Sequence, residues 1–332
     1  MEFIELAELC DKGSSNLVQK DLVFDSGIYP VYGAPGEITK VDFFHQRKPY
    51  LGLIKDGAGV GRVMQLPANS SVIGTIQYIF PKENVDLKYL YYLIKYLDLG
   101  KSNTGATIPH IYFKDYKKRK VKVREYGKQK HIGQILELID SHLSAYKNVL
   151  EQYDLLIKSR FVEMFGIFNV NTNNQNTIKF KDLIEQNNTN EDDLVWLLNL
   201  DMIKANTGEI VEKVYINRQN IPTSSISFKK GTVLYSKLRP YLNKVVIADE
   251  NGYGTSELIP LNSYKNGLTA EYLAYYLRQD SFVEYIKDKV TGAKMPRVAM
   301  DVLRSIDIVQ PNYVYQEQFS SFVYQINKLK FA

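Results

Sequence analysis

Apolar residues recur at helical spacing between positions 128 and 165. Read in sevens, Ile132, Ile139, Tyr146 and Tyr153 share one position, Ile135, His142, Val149 and Leu156 a second, and Leu136, Leu143, Leu150, Ile157 and Met164 lie beside them. No proline interrupts this stretch, and its one glycine is Gly133. The pattern predicts a single helix from Lys128 to about Phe165, roughly 55 Å long at 1.5 Å per residue. That is longer than a compact domain needs, so part of it is expected to pack against another long helix. The flanking segments, about 1–127 and 178–315, read differently. Short β-branched runs such as Ser71–Ile76 and Leu242–Ala248 are broken by Gly, Pro and Asn turns. Each segment also holds one amphipathic helix, near Leu87–Leu97 and near Thr269–Lys287. The polar stretch Asn169–Thr177 is predicted to be a loop or linker.

The two flanking segments match each other in order. Lys88-Tyr89-Leu90-Tyr91-Tyr92-Leu93 pairs with Glu271-Tyr272-Leu273-Ala274-Tyr275-Tyr276-Leu277. Thr104-Gly105-Ala106-Thr107-Ile108-Pro109 pairs with Thr291-Gly292-Ala293-Lys294-Met295-Pro296 at an offset of 187. The offset persists through Ile111 and Val298, Val121 and Ile308, Tyr126 and Tyr313, Gln129 and Gln316, Ile132 and Phe319, and Ile135 and Phe322. Upstream, Gly74-Thr75-Ile76-Gln77 corresponds to Gly254-Thr255-Ser256-Glu257. The expected architecture is therefore α+β: two related mixed α/β domains, 1–127 and 167–315, separated by a long coiled-coil-type helix at 128–166. A second, shorter helix at 316–332 is expected to pack antiparallel to the first.

Composition narrows the classes. In 332 residues, 45% are hydrophobic and 24% charged, with 20 Gly and 11 Pro, which excludes collagen-like and wholly disordered chains. No apolar run approaches the ~18 residues of a membrane span. One cysteine, Cys10, excludes a disulfide framework, and the acidic start lacks the basic-then-apolar order of a secretory signal, so a cytoplasmic location is expected. The net charge of +5 tolerates a nucleic-acid partner without demanding one, and the 25 tyrosines suit polar interfaces as well as ordinary cores.

Catalytic constellations are missing from the pattern. Asp56-Gly57-Ala58-Gly59-Val60-Gly61-Arg62 lacks the Gly-Lys-Ser/Thr of a phosphate loop and carries Arg62 where a dinucleotide fingerprint needs Gly or Ala, so it reads as a tight strand-to-strand turn. His45, His110, His131 and His142 have no metal-ligand spacing, and no metal site is expected. There is no Gly-x-Ser-x-Gly elbow and no Asn- or Asp-Pro-Pro-aromatic signature of an amino-methyltransferase. A two-unit chain of this kind reads as a recognition module with no catalytic residues of its own.

Recognition candidates are of two sorts. Lys114, Lys117, Lys118, Arg119, Lys120, Lys122 and Arg124 place seven positive charges in eleven residues; phosphate contacts would relieve that repulsion, the alternative being a solvated face. Lys117, Lys118 and Lys120 are taken as its phosphate-binding members. In the second unit, Lys237, Arg239, Tyr241 and Asn243 combine forked and point-charge donors with an aromatic in a Pro-containing loop, followed by the hydroxyls of Thr255 and Ser256 and the acceptor Glu257. Lys294 and Arg297 complete that set. In the first unit the corresponding candidates are Lys55, Arg62, Thr75, Gln77, Thr104, Thr107 and His110.

These motifs in this order, with the duplication and the long helix between, resemble the specificity subunits of Type I restriction-modification systems. The motifs that carry the resemblance are Gly27–Gly33, Lys55–Gly61 and Thr104–Pro109 in the first unit, and Leu234–Pro240, Gly254–Glu257 and Thr291–Pro296 in the second. The resemblance implies two target-recognition domains, each reading one half of a split site in double-stranded DNA, with no membrane partner. It further implies a non-catalytic subunit that binds no cofactor itself. Its partners would be modification (methyltransferase) subunits using S-adenosylmethionine and restriction (translocase/endonuclease) subunits using ATP. The family's distal helix is usually about as long as the central one, so the stop at Lys330-Phe331-Ala332 is expected to reflect a truncated or rearranged gene product or a deliberately shortened chain. A tandem protein-interaction scaffold without DNA binding is the alternative from another class, and a nuclease or methyltransferase fused to recognition domains would need an acid cluster or cofactor motif that the chain lacks.

Overall fold

A strand that is apolar at every position needs cover on both faces, and Tyr50–Ile54 has it, all five residues being buried. In the computed structural model, which describes residues 3–102, 109–170, 176–185 and 193–330, the chain divides into two compact units, Met1–Tyr146 and Lys147–Ala332. The first unit carries β1 (Phe3–Glu5), β2 (Cys10–Ser14), β3 (Tyr29–Gly33), β4 (Gly36–Val41), β5 (Tyr50–Ile54), β6 (Val63–Leu66), β7 (Ser71–Val72) and β8 (Ile76–Pro81). Then follow α1 (Leu87–Leu97), the single turn α2 (Phe113–Tyr116), β9 (Lys120–Lys122) and the start of α3 (Tyr126–Phe165). Strand order β2-β8-β5-β6 makes an antiparallel sheet, β3 joins β4 antiparallel and β7 parallel, and β1 pairs with β9. The apolar face of α1, with Leu90 and Ile94 fully buried, closes over Leu51, Leu53 and Ile79 of the sheet.

The second unit repeats this plan. Its elements are β10 (Thr177–Lys179), α4 (Phe180–Leu183), β11 (Leu194–Leu198), β12 (Val214–Asn217), β13 (Ile226–Phe228), β14 (Val233–Ser236), β15 (Val245–Ile247), β16 (Gly252–Gly254) and β17 (Leu258–Leu261). They continue with α5 (Ala270–Arg278), α6 (Asp280–Lys287), β18 (Val290–Thr291), β19 (Arg297–Val298), α7 (Met300–Ser305), β20 (Asp307–Val309) and α8 (Tyr313–Lys330). The sheet β15-β14-β17 has the pairing of β6-β5-β8, the parallel pair β11–β16 that of β3–β7, and β10–β20 that of β1–β9. The duplication seen in the residues is thus one of hydrogen-bonded topology.

Helix α1 has the bounds expected from its periodicity, and α3 begins two residues earlier than expected, at Tyr126. Three expectations change. The helix expected over Thr269–Lys287 is two, because Gln279 adopts extended backbone (φ −57°, ψ 138°) and its side-chain carbonyl accepts the Phe168 N–H at 3.0 Å. The run Ser71–Ile76 is split into β7 and β8 by a turn in which Ile76 N–H donates to Ile73 C=O. The run Leu242–Ala248 keeps only Val245–Ile247 as strand, since Asn243 is left-handed (φ 50°).

In the second unit α8 packs antiparallel on the end of α3. Phe319 meets Phe161 at 5.2 Å and Phe165 at 5.7 Å between ring centroids, and eleven residues later Lys330 pairs with Asp154. Tyr272 and Tyr275 of α5 close the same aromatic knot at 4.9 Å from Phe165 and 5.3 Å from Phe319. Between these packed stretches, residues 141–149 of α3 are all exposed, the apolar Leu143, Tyr146 and Val149 included. Among the described residues, no helix is long and apolar enough to cross a membrane, and no three His, Cys, Asp or Glu side chains group to hold a metal.

Candidate nucleic-acid interface

In each unit three loops are tied together by backbone hydrogen bonds at the end of the central strand. In the second unit β14 runs into Lys237, whose N–H donates to Glu257 C=O (3.0 Å) and whose C=O accepts from Val298 N–H (3.1 Å). Arg239 N–H donates to Pro296 C=O (2.8 Å), and Leu238 bridges Arg297. In the first unit Lys55 N–H donates to Thr75 C=O, Lys55 C=O accepts from Ile111 N–H, and Gly57 N–H donates to Pro109 C=O, each at 3.0 Å, while Asp56 bridges His110. The candidates Lys55, Thr75 and His110 therefore occupy the positions of Lys237, Glu257 and Arg297, so the backbone register pairs Thr75 with Glu257 and corrects by two residues the pairing with Thr255 expected from the sequence. Residues that lie far apart in the sequence converge at one clasp per unit.

Each clasp carries an acid–base pair. The Arg297 guanidinium grips the Glu257 carboxylate from two nitrogens, Nε to Oε1 and Oε2 at 3.0 and 3.1 Å and Nη2 to Oε1 at 2.8 Å, and this hydrogen bonding raises the Arg297 pKa. In the first unit His110 Nδ1 bonds the Asp56 carboxylate, with Lys55 Nζ 3.8 Å from the other oxygen. The ring of Tyr112 lies 3.9 Å from that of His110, and the Lys114 ammonium sits 5.1 Å over Tyr112. That chain of contacts runs from the clasp into the basic segment.

The loop Lys237–Lys244 is held in a costly shape. Arg239 (φ 46°) and Asn243 (φ 50°) are both left-handed and bracket the turn Pro240–Leu242. Asn243 is buried and its Nδ2 donates to Arg278 C=O (3.0 Å), while Arg278, itself buried, donates from Nε (3.0 Å) and Nη2 (2.6 Å) to Val245 C=O. Desolvation lowers the Arg278 pKa; Tyr275 beneath its guanidinium, at 5.1 Å, acts in the opposite sense. The result is a stiff platform that leaves Arg239 and Tyr241 exposed.

The remaining candidates sort by burial. Arg62, Ser256 and Lys294 are exposed, Thr255 is half-buried with Oγ1 3.4 Å from Glu257 N–H, and the Arg62 guanidinium reaches Ala34 C=O. Gln77 is buried and accepts the Tyr116 hydroxyl, and Asn243 is buried with its Nδ2 on Arg278 C=O, so burial leaves neither amide any reach to a base edge. Thr104 and Thr107 lie outside the described residues. In the basic run, Lys118 and Lys120 are exposed and Lys117 half-buried. Lys120 and Lys122 flank the buried Val121 on β9, so both ammonium groups leave the same face of the strand. The turn Gly57–Arg62 does join β5 to β6, with Gly57, Gly59 and Gly61 all at positive φ. Sequence reasoning passed over Asp56 as a His110 partner and Arg278 as the support of the loop. Asp56 stood in plain view in the Gly-rich motif, whereas Arg278 gave no local signal.

Comparison with known proteins places these observations. Residues 1–152 match the family described as Type I restriction modification DNA specificity domain. The EcoDI specificity subunit of Escherichia coli is 24% identical over 124 residues, 37% of this chain and 27% of that protein. The MjaIX specificity subunit of Methanocaldococcus jannaschii is 28% identical over 121 residues, 33% of this chain and 27% of that protein. The match thus spans about a quarter of the length of each curated relative. Among solved structures, the Type I restriction-modification S subunit from M. genitalium aligns with a TM-score of 0.62 at 14% identity, covering 99% of this chain and 90% of that one, a likeness of fold.

Proposed function

We propose, from the match of residues 1–152 to the Type I restriction modification DNA specificity domain family, that the whole chain is the DNA-recognition subunit of such a system. It reads a bipartite site in double-stranded DNA, one half-site per unit, and positions modification and restriction subunits, which use S-adenosylmethionine and ATP respectively. The chain itself does no chemistry and takes no cofactor. The observation that carries this reading is the duplicated clasp: two copies of one loop junction, with Arg62 exposed beside the first and Arg239, Ser256 and Lys294 beside the second. Arg239 can hold two acceptors of a guanine edge or a phosphate, and Lys237 and Lys294 act as point charges. Lys117, Lys118 and Lys120 supply sequence-independent attraction through counterion release. The exposed apolar stretch of α3 supports contact with protein subunits as well as DNA.

A base-resolution map of methylated adenines in the source genome, with the gene intact and deleted, tests the reading. Loss of one gapped, two-part motif on deletion is the expected result. An unchanged map refutes a role in DNA targeting and leaves the tandem scaffold.

A further inference from the structure

Two buried glutamines make the same three hydrogen bonds in the two units. Gln129 is 2% exposed and Gln316 0%. Gln129 Oε1 accepts from Asp86 N–H (3.0 Å), and its Nε2 donates to Asn84 C=O (3.3 Å) and Arg124 C=O (2.8 Å). Gln316 Oε1 accepts from Thr269 N–H (2.9 Å), and its Nε2 donates to Gly267 C=O (3.1 Å) and Pro311 C=O (2.8 Å). The geometry repeats down to the backbone, since Asn84 (φ 59°) and Gly267 (φ 69°) are both left-handed.

Asp86 and Thr269 are the N-caps of α1 and α5, and their side chains accept from Tyr89 and Tyr272 N–H. In a capping box, the third helical residue returns a side chain to the cap's own N–H. Here that residue is a tyrosine, and the cap's N–H goes to a glutamine on a different helix. The start of the domain helix is thereby tied to the helix that the unit hangs on, α3 in the first unit and α8 in the second. One turn further along there is a second point of contact. A Cβ at Gly133 would lie 3.0 Å from Asp86 Oδ1 and Tyr89 N, and Ser320 Oγ lies 3.1 Å from Thr269 Oγ1 and 3.0 Å from Glu271 Oε2. A contact and a close approach one turn apart in the first unit, and two contacts in the second, fix an angle as well as a distance.

We infer that Gln129 and Gln316 are positioning residues: each sets the angle between its unit's body and the attached helix, and so the gap length tolerated between half-sites. The second half of this statement rests on the proposed function; the first does not. Most polar side chains buried this deeply are held by hydrogen bonds, and an amide bonded at both ends transmits orientation where an apolar side chain of the same size would only fill space.

Spin labels at Lys48→Cys and Ser144→Cys, both exposed and both in the first unit, report the angle by pulsed dipolar distance measurement on the full chain without DNA. The parent should give one narrow distribution, and adding Gln129→Met should broaden it with the helix content unchanged. If that variant does not fold, Gln129→Asn, which keeps an amide too short to reach, replaces it. On duplexes carrying the mapped motif with its gap changed by one base pair, Gln129→Met and Gln316→Met should each lower the preference for the native gap by about tenfold, with affinity at the native gap within about threefold of the parent. An unchanged distance distribution overturns the latch. A broadened distribution with unchanged gap preference overturns its part in specificity. A parent that binds no gapped duplex refutes the DNA reading, and the distance measurement then decides the latch alone.

Discussion

At the scale of single residues, exposure separates the side chains able to meet a partner from those that shape the surface presenting them. Arg239 is exposed on a loop whose left-handed backbone is fixed by Asn243 and Arg278 beneath it. Arg239→Ala is expected to relax base preference in one half-site, costing about 1–3 kcal/mol there, and to leave the other half-site alone. Competition titration with matched and singly mismatched duplexes checks this, and a uniform loss across all sequences would refute it. Burial also makes the protein alkali-sensitive. It pushes the Cys10 thiol up to about 12, raises Tyr50 and Tyr116, and holds Tyr272 well above its ordinary value. These groups stay protonated in the native state but ionise near pH 9 to 10 once unfolded, so the unfolded chain binds fewer protons there. Stability is therefore expected to be full below about pH 9 and to fall as pH rises beyond it. Melting curves between pH 8 and 11 should show the transition temperature dropping, with the share of phenolate absorbance that belongs to the buried tyrosines appearing only on unfolding.

At the scale of elements, α3 is one uninterrupted helix with two kinds of surface. Toward its C-terminal end Ile157 and Phe161 are wholly buried, Phe161 lying among Tyr272, Tyr275 and Phe319. In the middle the same apolar spacing continues without cover, Leu143 being 54% exposed. Phe161→Ala is expected to cost about 3–5 kcal/mol because it opens a cavity in an aromatic knot that α3, α5 and α8 share. Leu143→Ala should shift stability by no more than about 0.5 kcal/mol. Denaturant titration of the two variants distinguishes them, and equal losses would show that the middle of α3 is covered in the isolated protein. Against α1 the helix is steadied by Lys88 with Glu137 (2.5 Å) and Lys95 with Asp140 (2.8 Å), exposed pairs that fix orientation more than they add stability.

At the scale of the whole molecule, the proposed DNA partner is one that net charge and its placement would steer. The excess of +5 is small, but Lys117, Lys118 and Lys120 cluster on one short segment whose strand is anchored by pairing with Phe3–Glu5. Replacing all three by alanine should weaken binding to every sequence alike and reduce the slope of log affinity against log salt by up to about 3, nearly one unit for each phosphate that is no longer neutralised. Titrations at several salt concentrations read the slope directly. A change confined to one sequence would mean that these lysines read bases.

Features that depend on spacing along the chain were legible in the residues alone. Periodicity in sevens marks α3, the repeat at offset 187 marks two related units, and α1 falls on Leu87–Leu97 as its apolar spacing requires. Those signals are local or repeat in register, so they survive without knowledge of what packs against what. The rest follows from long-range packing. It broke the second unit's long amphipathic stretch at Gln279, where a side chain answers to Phe168 more than a hundred residues away. It turned Gln77 and Asn243 inward to the Tyr116 hydroxyl and the Arg278 carbonyl, although their residue types suit base recognition equally well. It also brought Lys237, Glu257 and Arg297 to one clasp and gave Gln129 and Gln316 their buried partners. Composition and periodicity state which faces seek burial; which polar group ends beside which depends on long-range chain closure, and that is settled only when the strands have paired.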